Sequence, residues 1–153
     1  MVLEPSSGPP QVPVSARPHS ALDDAPFLRA CRREPVPYTP VWLMRQAGRY
    51  MPEYRQIRAK VGFLDLCKTP ELAAAVTVQA VQRLGVDAAI IFADILLILE
   101  PMGLELTFSA GDGPVIHNPV RGAADVERLR EVTSEESLAF VLQAITIARA
   151  QLP

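Results

Sequence analysis

The run Val86-Asp87-Ala88-Ala89-Ile90-Ile91-Phe92-Ala93 constrains the fold more than any other stretch. It is nearly continuously apolar, without polar alternation, and ends in a charged residue, Asp94. A strand with one wet face alternates; a strand covered on both faces does not. The run therefore reads as a short strand of a parallel sheet packed between helices. A helix precedes it. Thr69-Pro70-Glu71 supplies an N-cap, a proline for the first turn and an acid at the positive end of the dipole. Leu72, Val76, Ala80 and Leu84, with Ala73 and Ala75 beside them, give an apolar stripe at helical spacing, and Gly85 is placed as the C-cap. Helix, then buried strand, is the alternation of the α/β class. In a (β/α)8 barrel the catalytic groups sit at the C-terminal ends of the strands. Position alone leaves Asp94 either as such a group or as a cap for the segment after it.

The charge lies upstream. Pro40-Val41-Trp42-Leu43-Met44-Arg45-Gln46-Ala47-Gly48-Arg49-Tyr50-Met51-Pro52-Glu53-Tyr54 opens apolar, then sets two arginines four residues apart with a glycine between them. From Arg45 to Lys60, Arg45, Arg49, Arg55, Arg58 and Lys60 face a single acid, Glu53, in a chain of net charge -2. Guanidinium groups hold carboxylates and phosphates by paired, charge-assisted hydrogen bonds, so this reads as an anion-binding loop. A solvated basic helix face would carry the same charges.

Bulk properties remove several function classes. A pI near 5.7 argues against a general nucleic-acid binder. The longest apolar region, Ala88 to Leu99, is 12 residues and is interrupted by Asp94; a membrane span takes about 20. Met1 to Ser20 has no apolar core of a secretory signal. The expectation is a soluble, cytoplasmic protein. Cys31 and Cys67 suit a reducing compartment better than a disulfide framework. No metal site is expected, since CxxC is absent and His117 stands alone beside Asn118-Pro119.

Met1 to about Ala25, rich in proline and serine, has too few large apolar residues to offset ordering and reads as a disordered leader. Phe27 to Cys31 reads as a short helix with Phe27, Leu28 and Cys31 on one side, ended by Pro35 and Pro37. Glu53 to Lys60 reads as helix. Leu104 to Phe108 alternates, Ala110 to Pro114 turns and Val115-Ile116 returns, giving a hairpin. Ala124-Asp125 starts a short charged helix. Thr133 and Glu136 form a capping box before a helix with Leu138, Val141, Leu142, Ile145 and Ala148 on its apolar face. No internal repeat is visible.

Arg45-Gln46-Ala47-Gly48-Arg49-Tyr50, followed by Pro52-Glu53, resembles the N-terminal signature of the uroporphyrinogen decarboxylase family. The resemblance includes Pro40-Val41-Trp42 and Asp87 to Leu96, and runs from about Phe27 to the end of the chain. Two long motifs in the family's order and spacing are far more specific than a short glycine pattern. The resemblance implies an α/β fold that is the N-terminal part of a (β/α)8 TIM barrel, truncated before closure. Residues 1–25 are then a leader and 26–153 the N-terminal portion of the barrel, which alone is expected to be inactive. It implies Asp94 as the catalytic group, binding pyrrole N–H and stabilising the transition state. Arg45 and Arg49 would bind substrate carboxylates, either of them also helping to deliver a proton, with the backbone of Gln46, Ala47 and Gly48 shaping the loop and Arg58 a further candidate. Gly48 also serves as a plain turn residue, and Arg58 as part of a solvated face. Tyr50 and Trp42 read as packing. A Tyr, a Ser and a His of the family's site fall beyond Pro153.

The implied reaction converts the four acetate arms of uroporphyrinogen III to methyls, giving coproporphyrinogen III, in a homodimer. Losing CO₂ leaves a carbanion equivalent that needs an electron sink, for which many decarboxylases recruit a cofactor. No cofactor fingerprint is present, and none is expected. A pyrrole protonated on carbon is its own sink, and a fixed carboxylate beneath the pyrrole nitrogens stabilises the cation as it forms. Two other readings remain. A cobalamin or thiol methyltransferase shares the barrel but needs a late His/Cys zinc site and lacks the full arginine signature. A truncated non-catalytic homologue would bind a tetrapyrrole or a partner subunit. The order of acetate loss and the dimer interface are not legible.

Overall fold

The computed structural model describes residues 21–44, 50–109 and 113–152. The chain divides into two compact units, residues 1–39 and 40–153. The leader expected up to Ala25 lies outside the described residues as far as residue 20.

In the first unit Ala21–Asp24 form a 3₁₀ turn and α1 spans Pro26–Cys31. Proline opens α1 because the first turn has no use for its missing N–H. The helix ends before the prolines expected to stop it. Arg33 turns left-handed, with φ 62°. Its N–H donates to Ala30 O, and that of Glu34 to Arg29 O, both at 3.0 Å. This is the bond pair of a Schellman cap, with arginine where glycine is usual. None of α1's side chains is buried, so the expected apolar side of Phe27, Leu28 and Cys31 covers nothing fully.

The second unit holds α2 (Pro52–Arg58), α3 (Phe63–Lys68), α4 (Pro70–Leu84), a 3₁₀ turn (Ile95–Leu99), strands β1 (Leu106–Ser109) and β2 (Gly113–Ile116), α5 (Ala123–Glu127), α6 (Ser134–Ser137) and α7 (Ala139–Gln151). α4 is the centre. It buries Ala73, Ala74, Val76, Thr77, Val78 and Ala80, while Leu72 and Leu84 are only half-buried. α7 packs along it, and Ala74, Val78 and Ala148 form a core cluster with Ile91, Ile147 and Leu152 against them. Small residues at this contact let the two helix backbones approach closely. Gly85 ends α4 as expected, at φ 62° and ψ 35°, a conformation that favours glycine. β1 and β2 pair antiparallel, with Leu106 opposite Ile116 and Ser109 opposite Gly113. Asn118 closes the open end of this hairpin. Its Oδ1 accepts from Glu105 N at 2.7 Å, and its Nδ2 donates to Gly103 O at 3.0 Å. No helix among the described residues is long and apolar enough to cross a membrane.

Four expectations are corrected. Residues 86–93 belong to no strand ladder among the described residues, where the hairpin is the one sheet. A strand exists only when neighbours take up its N–H and C=O groups, and two of this run's partners lie elsewhere. Asp87 N donates to Val41 O at 2.9 Å, and Phe92 N donates to a side chain, Thr77 Oγ1, at 2.8 Å. Thr69 holds the N-cap position of α4, but its hydroxyl does not cap. It donates back to Asp65 O at 2.7 Å, at the end of α3, a helix the pattern did not suggest. The Thr133/Glu136 box is replaced by backbone bonds, with Glu136 N and Ser137 N both reaching Thr133 O. Finally, the inward side of α7 is Ala144 and Ala148, with Leu142 and Ile145 each 44% exposed.

Candidate functional site

Asp94 closes the 86–94 segment in extended conformation, φ -123° and ψ 141°, and is half-buried. Its Oδ1 accepts from Leu96 N at 2.8 Å, so the carboxylate caps the Ile95–Leu99 turn. Oδ2 makes no hydrogen bond among the described residues. The two readings left open by position are thus compatible, because capping takes only one of the two oxygens. Ile95, immediately after it, is 90% exposed, and Ala93 before it is exposed too. The acid therefore sits at an open, apolar edge.

What places Asp94 lies two residues back. The ring of Phe92 packs on Tyr54 of α2 and Phe63 of α3, with centroids 5.6 and 5.9 Å apart, and Phe63 in turn meets Phe108 of β1 at 4.7 Å. Tilted and edge-on contacts at these distances are the favoured aromatic geometries. The backbone of Phe92 is tied to α4 through Thr77. Asp94 is therefore carried by a cluster drawn from α2, α3, α4 and β1.

Arg45, Gln46, Ala47, Gly48 and Arg49 lie outside the described residues. Both flanks of that loop are described, and each is anchored. Upstream, Asp87 makes a reciprocal pair with Val41: its Oδ2 accepts from Val41 N at 2.8 Å, and its own N–H donates to Val41 O at 2.9 Å. Downstream, Met51 is buried, while Tyr50 is exposed. The Asp87 pair joins the segment before the arginine loop to the segment that ends in Asp94.

Arg58, at the end of α2, is turned inward to a local task. Its Nη1 donates to Val61 O, and its guanidinium carbon stands 5.9 Å from the centroid of the Phe63 ring. Cys67 of α3 is buried and, like the exposed Cys31, is a free thiol. Burial pushes the Cys67 thiol up to about 12; the Asp94 carboxylate adds to this, and Arg58 and Lys68 oppose it. Asp94 and Arg58 thus act on the same buried atom from opposite signs. Lys68 also pairs with Glu100 at 2.8 Å, tying α3 to the far end of the turn that Asp94 caps.

Sequence reasoning singled out Asp94 and Arg58 but missed Thr77, Phe63 and the role of Asp87. The available signal for Thr77 was a lone hydroxyl inside an apolar stripe. Among the described residues no group of three His, Cys, Asp or Glu could hold a metal ion.

Residues 22–153 match the family described as Uroporphyrinogen decarboxylase (URO-D). Over 126 residues, 82% of this chain, the sequence is 63% identical to the uroporphyrinogen decarboxylase of Carboxydothermus hydrogenoformans, covering 36% of that protein. The enzymes of that name from Sorangium cellulosum and Roseiflexus sp. are 62% and 61% identical over 126 residues, with the same 82% and 36% coverage. The chain spans 36% of the length of the curated relatives it matches.

Proposed function

The chain belongs to the uroporphyrinogen decarboxylase family, and from that premise we propose that it is the part of a carboxy-lyase that holds the reacting pyrrole. The reaction is loss of CO₂ from the four acetate arms of uroporphyrinogen III, giving coproporphyrinogen III in porphyrin biosynthesis. For each arm one proton is taken up and one CO₂ leaves, so that CH₂–CO₂⁻ becomes CH₃. The ring is protonated on carbon, and the C–CO₂ bonding pair moves into the cationic ring to leave an exocyclic methylene. Protonation of that methylene gives the methyl, and loss of the proton first added to the ring carbon restores the pyrrole, so one proton is taken up net. Asp94 sits under the pyrrole N–H groups and stabilises the cation. Arg45 and Arg49 hold carboxylates on the rim, and Gln46, Ala47 and Gly48 form the loop between them. Arg58 is committed to Val61 and Phe63, so its part is secondary. The ring is its own electron sink, and no cofactor is invoked.

The observation that carries this is the double service of Asp94: one oxygen caps the turn and fixes the carboxylate, and the other makes no protein bond among the described residues. Residues 26–153 are proposed as the N-terminal portion of a (β/α)8 barrel, with residues 1–25 as a leader. A cytoplasmic homodimer is the family's implication. Residues 1–153 by themselves are expected not to turn over. Similarity to named decarboxylases speaks against the methyltransferase alternative.

The test is turnover of uroporphyrinogen by a full-length decarboxylase carrying this segment. Asp94→Asn keeps a good N-cap and removes the charge, so it should fold normally and lose on the order of 10² in kcat. Asp94→Glu, which keeps the charge, should retain more activity. If Asn matches or exceeds Glu, Asp94 is a structural cap.

A further inference from the structure

We infer that Thr77 is a positioning residue for Asp94, an inference that rests on the decarboxylase reading above. Thr77 is the polar residue buried in the core of α4, at 1% exposure. Its Oγ1 donates to Ala73 O one turn back, at 2.8 Å, which fixes the hydroxyl's direction. Back-bonding of this kind is common for threonine in helices and by itself implies nothing. The second bond is different. The same oxygen accepts from Phe92 N at 2.8 Å, across 15 residues, in a segment that belongs to no ladder among the described residues. A backbone N–H turned away from water and outside a ladder needs an acceptor elsewhere, and for the half-buried Phe92 the acceptor is a side chain of α4.

The consequence falls on Asp94. Residues 92–96 are pinned twice: Phe92 N–H on Thr77, and Leu96 N–H on the Asp94 carboxylate itself. The aromatic contacts of Phe92 with Tyr54 and Phe63 hold the segment against the helices, but apolar contact is non-directional and lets it slide. The hydrogen bond sets its position along α4. Misplacement of a reacting group by about 1 Å can cost on the order of 10²-fold in rate. Thr77 therefore acts through Asp94 and touches no substrate.

The experiment is steady-state turnover of uroporphyrinogen by a full-length decarboxylase carrying this segment, with Thr77→Val and Thr77→Ser each made alone and on Asp94→Asn. Valine keeps the branched shape and deletes both bonds; serine keeps both. Thr77→Val should lower kcat about tenfold with KM changed less than about twofold, and Thr77→Ser should stay within about threefold of the parent kcat. On Asp94→Asn, the valine change should add less than about twofold, because two residues acting as one unit are not additive. An equal loss in both backgrounds, or an unchanged kcat for Thr77→Val where Asp94→Asn has abolished turnover, overturns the inference while leaving the reading of Asp94 intact. Full activity of Asp94→Asn overturns that reading, and the inference with it. Should Thr77→Val not fold, the serine variant decides: normal kcat at a lowered Tm supports positioning, and a tenfold loss in a folded serine variant refutes it.

Discussion

The stretch from α3 to Asp94 and the stretch along α7 are both apolar and alanine-rich, yet they are enclosed to different degrees. α3 and α4 bury Leu66 and Cys67 and six side chains of α4, and Thr77 satisfies a backbone N–H from the segment beyond. α7, with a similar apolar content, buries only Ala144 and Ala148 and leaves Leu142 and Ile145 nearly half exposed. Apolar periodicity states that a helix has an inward side. Which side it is depends on what packs there. On the α4 side the partners are present, and polar bonds lock them in register; on the outer side of α7 no such bond is made among the described residues.

The largest effect that would break this contrast is a cavity in the enclosed region. Leu66 is fully buried. In a full-length protein carrying this segment, Leu66→Ala should cost about 2–5 kcal/mol, the loss of transfer free energy plus an unfilled hole. Urea denaturation reads this directly. A loss below about 1 kcal/mol would mean that the site collapses around the alanine and that α3 is no more rigidly enclosed than α7.

A second effect sharpens the contrast through pH. The ordinary thiol value of 9.0 rises to about 12 for Cys67, mainly from burial. Between those values the unfolded chain releases the proton while the folded chain keeps it, so the unfolded state binds fewer protons and stability falls as pH rises. The contribution is fully present below pH 9.0 and is lost towards pH 12. Cys67→Ala should flatten this alkaline decline, and the exposed Cys31 should react with a thiol reagent in native protein while Cys67 reacts only on unfolding. Equal reactivity of the two thiols at pH 8 would contradict the enclosure of α3.

Much of this was legible in the sequence, and the exceptions share a cause. The limits of α4 are written locally, by Pro70 and by the left-handed Gly85, and the hairpin by its alternation; such signals do not depend on distant partners. The strand over 86–93 was read from its apolar run, but pairing is a property of neighbours, and Val41 and Thr77 are neighbours no local rule points to. α3 went unseen because Gly62 gives it no side-chain cap. The capping roles of Thr69 and Thr133 failed for another reason: the Thr69 hydroxyl donates back to Asp65 O, and at Thr133 the backbone carbonyl accepts from Glu136 N and Ser137 N. In the candidate site, the place of Asp94 at the end of an apolar run left it as either a functional group or a cap, and the cap bond to Leu96 N is the part the structure shows. The Thr77–Phe92 link and the Phe63 stack behind it were not legible, since both join residues far apart in the chain.

The smallest effect tests the open side. Leu142 and Ile145 are three residues apart on α7, so they share a face, and each keeps much of its surface in water. For Ile145→Lys two terms oppose. Some apolar burial is lost, but a straight-chain residue replaces a β-branched one in a helix, which favours lysine by a few tenths of a kcal/mol. The lysine stem can also lie along the same apolar surface with its charge in water. The net change in stability should stay within about 0.5 kcal/mol, as for most exposed substitutions. Denaturation of a full-length protein carrying this segment measures it against Leu66→Ala in the same background. A loss above about 2 kcal/mol would place Ile145 in the class of buried sites. The outer side of α7 would then be covered in the complete molecule, and the two regions would differ only in which part of the protein encloses them.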